Sequence, residues 1–287
     1  LAIGNFDGIH IGHQAVIKKA ISIAKKKKIK VGVLTFEPHP KCFFKKKYDY
    51  FRLTPFREKV RILSNMGIDF MINIRFEEKF VKKSAFDFLQ NDLVGKLKVN
   101  SVVTGYDFVF GNNRTGNVNL INKFVLGTNK FKFFEVPEVK IKNMNIASSS
   151  EIRNFLREGE IQKANRILTR SWLVSGKVIG GDRNGRKIGF RTANMRVHKF
   201  CNIRKGVYFV SIKLTGKHKD KTYFGIANFG IKPTFDKVDP ILETHIFNFC
   251  DDIYNQRIEI SFNKFIRAEK KFESVEKLKD QIIKDII

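Results

Sequence analysis

Up to about residue 168 the sequence alternates short β-rich runs with helix-length segments, and from Trp172 onward it does not. Strand composition falls at 31–36, 69–74, 101–104 and 131–136, with residues 1–3 as the tail of another run. Helical patterns fill 11–28, 55–66, 84–97 and 118–127. Strands separated by helices pair in parallel through right-handed crossovers, which predicts an open α/β sheet. A helical pair closes this half: Ser149 or Ser150 caps 152–157, Gly159 breaks it, and 161–168 continues. Beyond Trp172, runs at 172–179, 206–214, 222–228, 241–249 and 257–262 follow one another through Gly, Asn, Asp or Pro turns. No helix separates them, which predicts an antiparallel barrel or sandwich. A final amphipathic segment, 274–286, places Val275, Leu278, Ile282 and Ile283 on one face and is expected to pack on that barrel. The expected fold class is α/β plus all-β, with domains at 1–168 and 169–287.

Composition removes several alternatives. With 43% hydrophobic residues in 287, the chain has enough apolar material for two cores. No apolar run is long enough to span a bilayer and no signal peptide is read, so no membrane partner is expected. Cys42, Cys201 and Cys250 are few and far apart, fitting neither a disulfide framework nor a zinc site and suggesting a cytoplasmic setting. The sequence opens at Leu1, without Met, inside an apolar stretch, so an upstream segment is expected. The formal charge of +27 raises the question of a nucleic-acid partner. Its lysine runs, 25–28 and 45–47, sit at element ends without interleaved aromatics, so no nucleic-acid partner is expected. A basic surface steers anionic phosphates inward in any case. Oligomeric state is not legible at this level.

The sharpest chemical signal is Gly4-Asn5-Phe6-Asp7-Gly8-Ile9-His10-Ile11-Gly12-His13, between a strand and a helix. Glycines let backbone approach a phosphate, and a helix start presents free N–H groups to an anion. Gly4, Asn5, Phe6, Gly8 and Gly12 are the expected phosphate contacts. His10 and His13 add two imidazole donors able to stabilise charge building on an α-phosphate while pyrophosphate leaves. The run is neither a Walker loop nor a dinucleotide fingerprint. Either histidine alone is more often structural; two of them in a Gly-rich strand–helix turn favour catalysis. Ser149 and Ser150 with Arg153 one turn on form a second possible anion site, whose plainer reading is helix capping.

These residues carry a family resemblance. The 4–13 run resembles the His-x-Gly-His signature of nucleotidyltransferases, and its lead-in resembles the prokaryotic bifunctional riboflavin kinase/FAD synthetases. Thr35-Phe36-Glu37-Pro38-His39-Pro40 matches that family's next motif, with Glu where Asp is common. Thr104–Gly111 followed by Arg114-Thr115-Gly116 matches the block associated with the flavin and adenine pockets, with Val109 where Arg is frequent. The resemblance therefore implies flavin contacts from Pro38, His39, Asp107, Phe108 and Arg114. Ser148–Arg153 resembles a phosphate motif, which implies that Ser149, Ser150 and Arg153 hold the β- and γ-phosphates of ATP.

In the second half, residues 175–186 and Gly189-Phe190-Arg191-Thr192-Ala193-Asn194 resemble the riboflavin kinase module, with Arg191 where the family has Pro. Proline would stiffen the turn presenting Thr192, and arginine brings a charge beside the phosphates instead. The resemblance implies a Greek-key barrel, Thr192 and Asn194 at Mg²⁺ and ATP, and Gly176 and Gly181 in loops closing over the nucleotide. Neutral oxygen donors suit Mg²⁺, which keeps several waters and borrows phosphate oxygens. The 225–235 and 242–245 runs match the same module. Period-two alternation groups Glu243 and His245 with Phe247 and Phe249, which predicts that Glu243 faces the barrel interior near its mouth. Its plainer reading is a solvent-facing Glu at a strand start, and it is the resemblance that implies a general base. Arg267 matches a family arginine near the flavin.

The expected activity is phosphorylation of riboflavin to FMN and adenylylation of FMN to FAD, with ATP and Mg²⁺. The rival readings are a nucleotidyltransferase for another acceptor, an impaired kinase carrying Arg191, and a basic nucleic-acid-binding protein on this fold.

Overall fold

In the computed structural model, the residues described are all except 142–146, 181–188, 216–217, 219–220, 235–236 and 287, with side chains also left aside over 231–239. The chain packs as two compact units: 1–48 with 54–149, and 49–53 with 150–287.

The first unit is built on strands β1 (Ala2–Ile3), β2 (Gly32–Glu37), β3 (Phe70–Arg75), β4 (Ser101–Gly105) and β7 (Lys132–Val136), in the order β3-β2-β1-β4-β7. Every pairing is parallel. Helix α1 (Ile11–Lys27) buries Val16, Ile17, Ala20 and Ala24 against Val33 and Val103. The other face of the sheet holds Leu34, Phe36 and Val102 against Phe88, Leu89 and Leu93. Around this sheet lie α2 (Pro40–Lys45), α3 (Phe56–Asn65), α4 (Glu78–Val81), α5 (Ala85–Asp87) and α6 (Val118–Thr128). A small hairpin, β5 (Val109–Phe110) with β6 (Gly116–Asn117), follows β4.

Most of the helix read at 84–97 is π-helix, Phe88–Lys96. Its buried Asp92 is held by Lys83 at 2.5 Å and by Lys96 at 3.1 Å. Burial pushes this carboxyl up, and the two ammonium groups more than reverse it, so it lies below the usual carboxylate range. A carboxyl whose folded pKa is depressed contributes stability that is complete above its unfolded pKa, about 3.9, and is lost as pH falls through the folded value. Asp92→Asn is therefore expected to flatten the acid limb of a Tm-against-pH curve below about pH 4.

The second unit is a closed antiparallel barrel of β8 (Trp172–Ile179), β9 (Thr192–Arg196), β10 (Gly206–Leu214), β11 (Thr222–Thr234), β12 (Lys237–Ile246) and β13 (Arg257–Arg267). Neighbours run β10-β11-β12-β9-β8-β13, and β13 returns to β10. Helices α7 (Ser149–Glu158) and α8 (Ile161–Leu168) belong to this unit apart from Ser149. Asn165 is one reason: its amide donates to the Phe262 carbonyl at 2.9 Å and its oxygen accepts from Trp172 N at 2.7 Å. Sequence texture changes near 168, whereas packing divides at 149/150. The 49–53 segment also packs here. The Trp172 indole donates to the Leu53 carbonyl at 2.9 Å, and Cys201 N donates to the Arg52 carbonyl at 2.7 Å.

The last helix, α9 (Val275–Ile286), follows β13. Its apolar face is less covered than the sequence predicts: Val275 and Ile283 are 54% and 43% exposed, and Leu278 and Ile282 are half-buried. An ion pair is the firmer attachment. The Arg267 guanidinium donates to both Asp285 oxygens, Nε at 2.9 Å and Nη2 at 2.7 Å, and the Asp285 side chain is almost inaccessible. Removing one member strands the other, so Asp285→Ala is expected to cost about 2–3 kcal/mol in denaturant unfolding, somewhat below a fully buried pair because Arg267 is partly solvated.

Candidate active sites

Strand order reverses between β1 and β4, and ligands of open α/β sheets bind outside the carboxyl ends of strands at such a point. The 4–13 turn leaves β1 there. Three of its residues have left-handed backbone: Phe6 (φ 48°), Gly8 (φ 92°) and Ile9 (φ 43°). For non-glycine residues this costs about 1–3 kcal/mol each, and persists only where surroundings enforce it. Here Phe6 and Ile9 are buried anchors in the α1 core. Asp7, also buried, accepts the Thr54 N–H at 3.0 Å, and its carbonyl accepts the Ser149 hydroxyl at 2.7 Å.

His10 occupies the N-cap position of α1, and His13 follows one turn in. Their rings stack at 3.7 Å with 25° between planes, and the Phe6 ring meets His13 edge-on at 5.3 Å. A Cβ on Gly12 would lie 3.2 Å from the His10 ring, so glycine keeps that imidazole in place. The Asn5 amide oxygen is buried and has no hydrogen-bond partner among the described residues. Two stacked imidazoles at the N-terminus of a 17-residue helix are an arrangement able to receive a polyphosphate.

The flavin residues read from sequence follow the carboxyl ends of β2 and β4. His39 is buried and its Nδ1 accepts the Lys41 N–H at 3.1 Å, capping α2 directly after Pro38. Asp107 and Arg114 are exposed, and Phe108 stacks on Phe110 at 5.3 Å. A chain of ring contacts joins the two segments, Phe43–Phe76–Phe80–Phe88–Phe110–Phe108. No local motif marks this aromatic wall; its signal in the sequence is the 29 phenylalanines.

Ser149, Ser150 and Arg153 lie inside α7, which starts earlier than the expected cap. Ser149 ties the Asp7 carbonyl in the first unit. Ser150 and Arg153 fall in the second, where Arg153 Nε donates to the Phe51 carbonyl at 2.9 Å and its guanidinium lies 4.1 Å from the Phe51 ring.

In the barrel, register gathers the predicted residues. Across β9 and β12, Thr192 opposes His245 and Asn194 opposes Glu243, while Asn228 on β11 opposes Glu243 from the other side. Directly paired residues share a face. Glu243 and His245 are half-buried, whereas Leu242, Thr244 and Ile246 are buried. Glu243 therefore lies on the outer face, not in the interior as alternation predicted. The strand ends at Ile246, so Phe247 and Phe249 are not part of its alternation.

A cavity of about 250 Å³ opens beside this row, lined among others by Arg191, Thr192, Asn194, Thr244 and the 249–254 loop. The Thr244 hydroxyl is buried and has no hydrogen-bond partner among the described residues. Arg191 donates from Nη1 to the Cys250 carbonyl at 2.8 Å, and its own carbonyl sits 2.9 Å from His245 Nδ1. The turn that presents Thr192 is held by these two contacts. Gly176 is not on a loop: it lies within β8, where a Cβ would meet the Met195 side chain at 2.6 Å. Gly181 lies outside the described residues. Arg267 spends its guanidinium on Asp285 and the Ala268 carbonyl.

Comparison with known proteins matches each half of the chain to a family. The family model of FAD synthetase matches residues 1–150, and that of riboflavin kinase matches 168–287. The chain belongs to the bifunctional riboflavin kinase/FMN adenylyltransferase family. Relatives of that name from Buchnera aphidicola (Schizaphis graminum), Haemophilus influenzae and Escherichia coli K12 are 39%, 35% and 34% identical to it. Each alignment covers 99–100% of this chain and 90–91% of the relative. A crystal structure titled macrolide-efflux protein, from Streptococcus pneumoniae, superposes with TM-score 0.86 at 27% identity, over 99% of this chain and 91% of that one. Among the described residues of this family member, no helix is long and apolar enough to cross a membrane.

Proposed function

We propose that the chain makes FAD in two ATP-dependent steps, adenylyl transfer at the 4–13 turn and phosphorylation at the barrel row of Thr192, Asn194 and Glu243. Family membership establishes the pair of activities, and the assignment of each to its residues is the reading advanced here. The observation that carries it is the pairing of two separate phosphate-compatible sites with two matched enzyme families.

In the first step a phosphate oxygen of FMN attacks the α-phosphorus of ATP, the bond to the β-phosphate bridge breaks, and pyrophosphate leaves. The nucleophile is already anionic, so no strong base is needed; alignment and charge stabilisation suffice. His10 and His13 donate to the α-phosphate oxygens, and the N-terminus of α1 carries the adjoining charge. Pro38, His39, Asp107, Phe108 and Arg114 border the flavin. Ser149 steadies the turn through Asp7, and phosphate contact by Ser150 and Arg153 is proposed on their motif alone.

In the second step the terminal ribityl hydroxyl of riboflavin attacks the γ-phosphorus, Glu243 takes its proton, and ADP leaves. Phosphoryl transfer depends mainly on positioning and charge neutralisation. Among the described residues no cluster of three His, Cys, Asp or Glu could hold a metal. Thr192, Asn194 and the unsatisfied Thr244 hydroxyl offer neutral oxygens beside the cavity. Such donors fit Mg²⁺ bound largely through water and phosphate, where it would neutralise phosphate charge. Arg191 adds a fixed cation at the same cavity. A flavin contact by Arg267 would have to use the face of its guanidinium left by Asp285. A cytoplasmic setting, where ATP and Mg²⁺ are abundant, fits these reactions.

Separating flavins by chromatography after incubation with ATP and Mg²⁺ tests the reading. Riboflavin should give FMN and then FAD. FAD formed only from supplied FMN would mean an inactive kinase domain.

A further inference from the structure

Lys59, on α3, is wholly inaccessible, an unusual place for a lysine because its charge must be matched by oxygen. Its Nζ donates to the Asn5 carbonyl at 3.0 Å and to Thr35 Oγ1 at 3.3 Å, and lies 3.5 Å from Glu37 Oε1. Thr35 Oγ1 in turn donates to the same Asn5 carbonyl at 3.2 Å. The peptide carbonyl that leads into left-handed Phe6 is thus held by two donors, from α3 and β2. Phe6 is also the ring that meets His13 edge-on.

We propose that Lys59 is a positioning residue for adenylyl transfer: by fixing the Asn5 carbonyl it sets the path of the strained turn and hence the placement of His10 and His13. It acts through the backbone of Asn5, and the ion pair with Glu37 keeps its ammonium in place. A displacement of about 1 Å in a catalytic group can cost about 10²-fold in rate. The effect should therefore appear in kcat for FAD formation, with KM for ATP changed far less. The inference rests on the 4–13 turn being the adenylyl-transfer site, which His13→Ala tests separately.

The experiment compares the full chain with Lys59→Met, Lys59→Met/Glu37→Gln and Thr35→Val. For each, kcat and KM for FAD formation, riboflavin phosphorylation and Tm are measured. Lys59→Met should lower kcat for FAD by about 10- to 100-fold, lower Tm, and leave phosphorylation within about twofold. The double variant removes the carboxylate stranded by the first change, so its Tm should recover in part while kcat stays low. Thr35→Val, which removes the second donor with little change in volume, should lower kcat in the same sense even if Lys59→Met fails to fold. Recovery of kcat together with Tm in the double variant would make Lys59 a stability residue only and overturn the proposal, as would unchanged kcat in both Thr35→Val and a folded Lys59 variant. If those variants leave FAD formation intact while His13→Ala abolishes it, the proposal alone fails; if His13→Ala is also inert, the turn itself is misassigned.

Discussion

Replacing His13 by alanine is expected to lower FAD formation from FMN and ATP by about 10²-fold or more while FMN formation from riboflavin stays within about twofold. The size follows from removing a preorganised donor aimed at charge that develops only in the transition state. The selectivity follows from where the residues lie. His13 stacks on His10 in the first unit, whereas the cavity beside Thr192 and Asn194 is lined by residues of the second. His13→Ala also removes one face of the imidazole stack, so His10 should lose part of its own alignment. A His10→Ala/His13→Ala double variant is then expected to be little worse than either single one, because the two rings act as a unit. Steady-state rates for the two half-reactions check both statements.

Replacing Glu243 by glutamine should do the reverse, lowering riboflavin phosphorylation by about 10²-fold and sparing adenylylation of supplied FMN. The change keeps the shape and the register with Asn194 and Asn228, so the barrel is not disturbed. What it removes is the ability to accept the ribityl proton. Because Glu243 is half-buried on the outer face, a polar replacement there should barely alter Tm, which separates a catalytic loss from a folding one. A drop much smaller than tenfold would mean that alignment at Thr192 and Asn194 carries the step and the carboxylate is dispensable.

The two predictions also show how much the sequence discloses. Strand–helix alternation locates all five sheet strands to within a residue or so: β1, β2 and β4 are buried apolar runs, and the more exposed edge strands β3 and β7 are still short β-rich runs bounded by helices. The 4–13 turn was legible because its chemistry is local: glycines, two histidines and a helix start lie within ten residues. Strand β9 was not, because Thr192–Arg196 mixes small and polar residues where it borders the cavity instead of alternating. The facing of Glu243 is not legible from sequence, because alternation holds only to the end of the strand at Ile246, short of Phe247 and Phe249. Lys59 was invisible as a single charged residue in an amphipathic helix; only the fold brings it under Asn5 and Thr35, 54 and 24 residues away in sequence. The same is true of the 49–53 segment, Asp-Tyr-Phe-Arg-Leu, which carries no local pattern to show that its carbonyls satisfy donors from Trp172 and Cys201.

The most direct measurement runs riboflavin, ATP and Mg²⁺ with the wild-type chain, His13→Ala and Glu243→Gln in parallel, and resolves riboflavin, FMN and FAD over time. The wild-type chain should yield FMN followed by FAD, His13→Ala should stop at FMN, and Glu243→Gln should make FAD only when FMN is added. One substitution abolishing both half-reactions, FMN from riboflavin and FAD from supplied FMN, would contradict two separate ATP-using centres in this polypeptide.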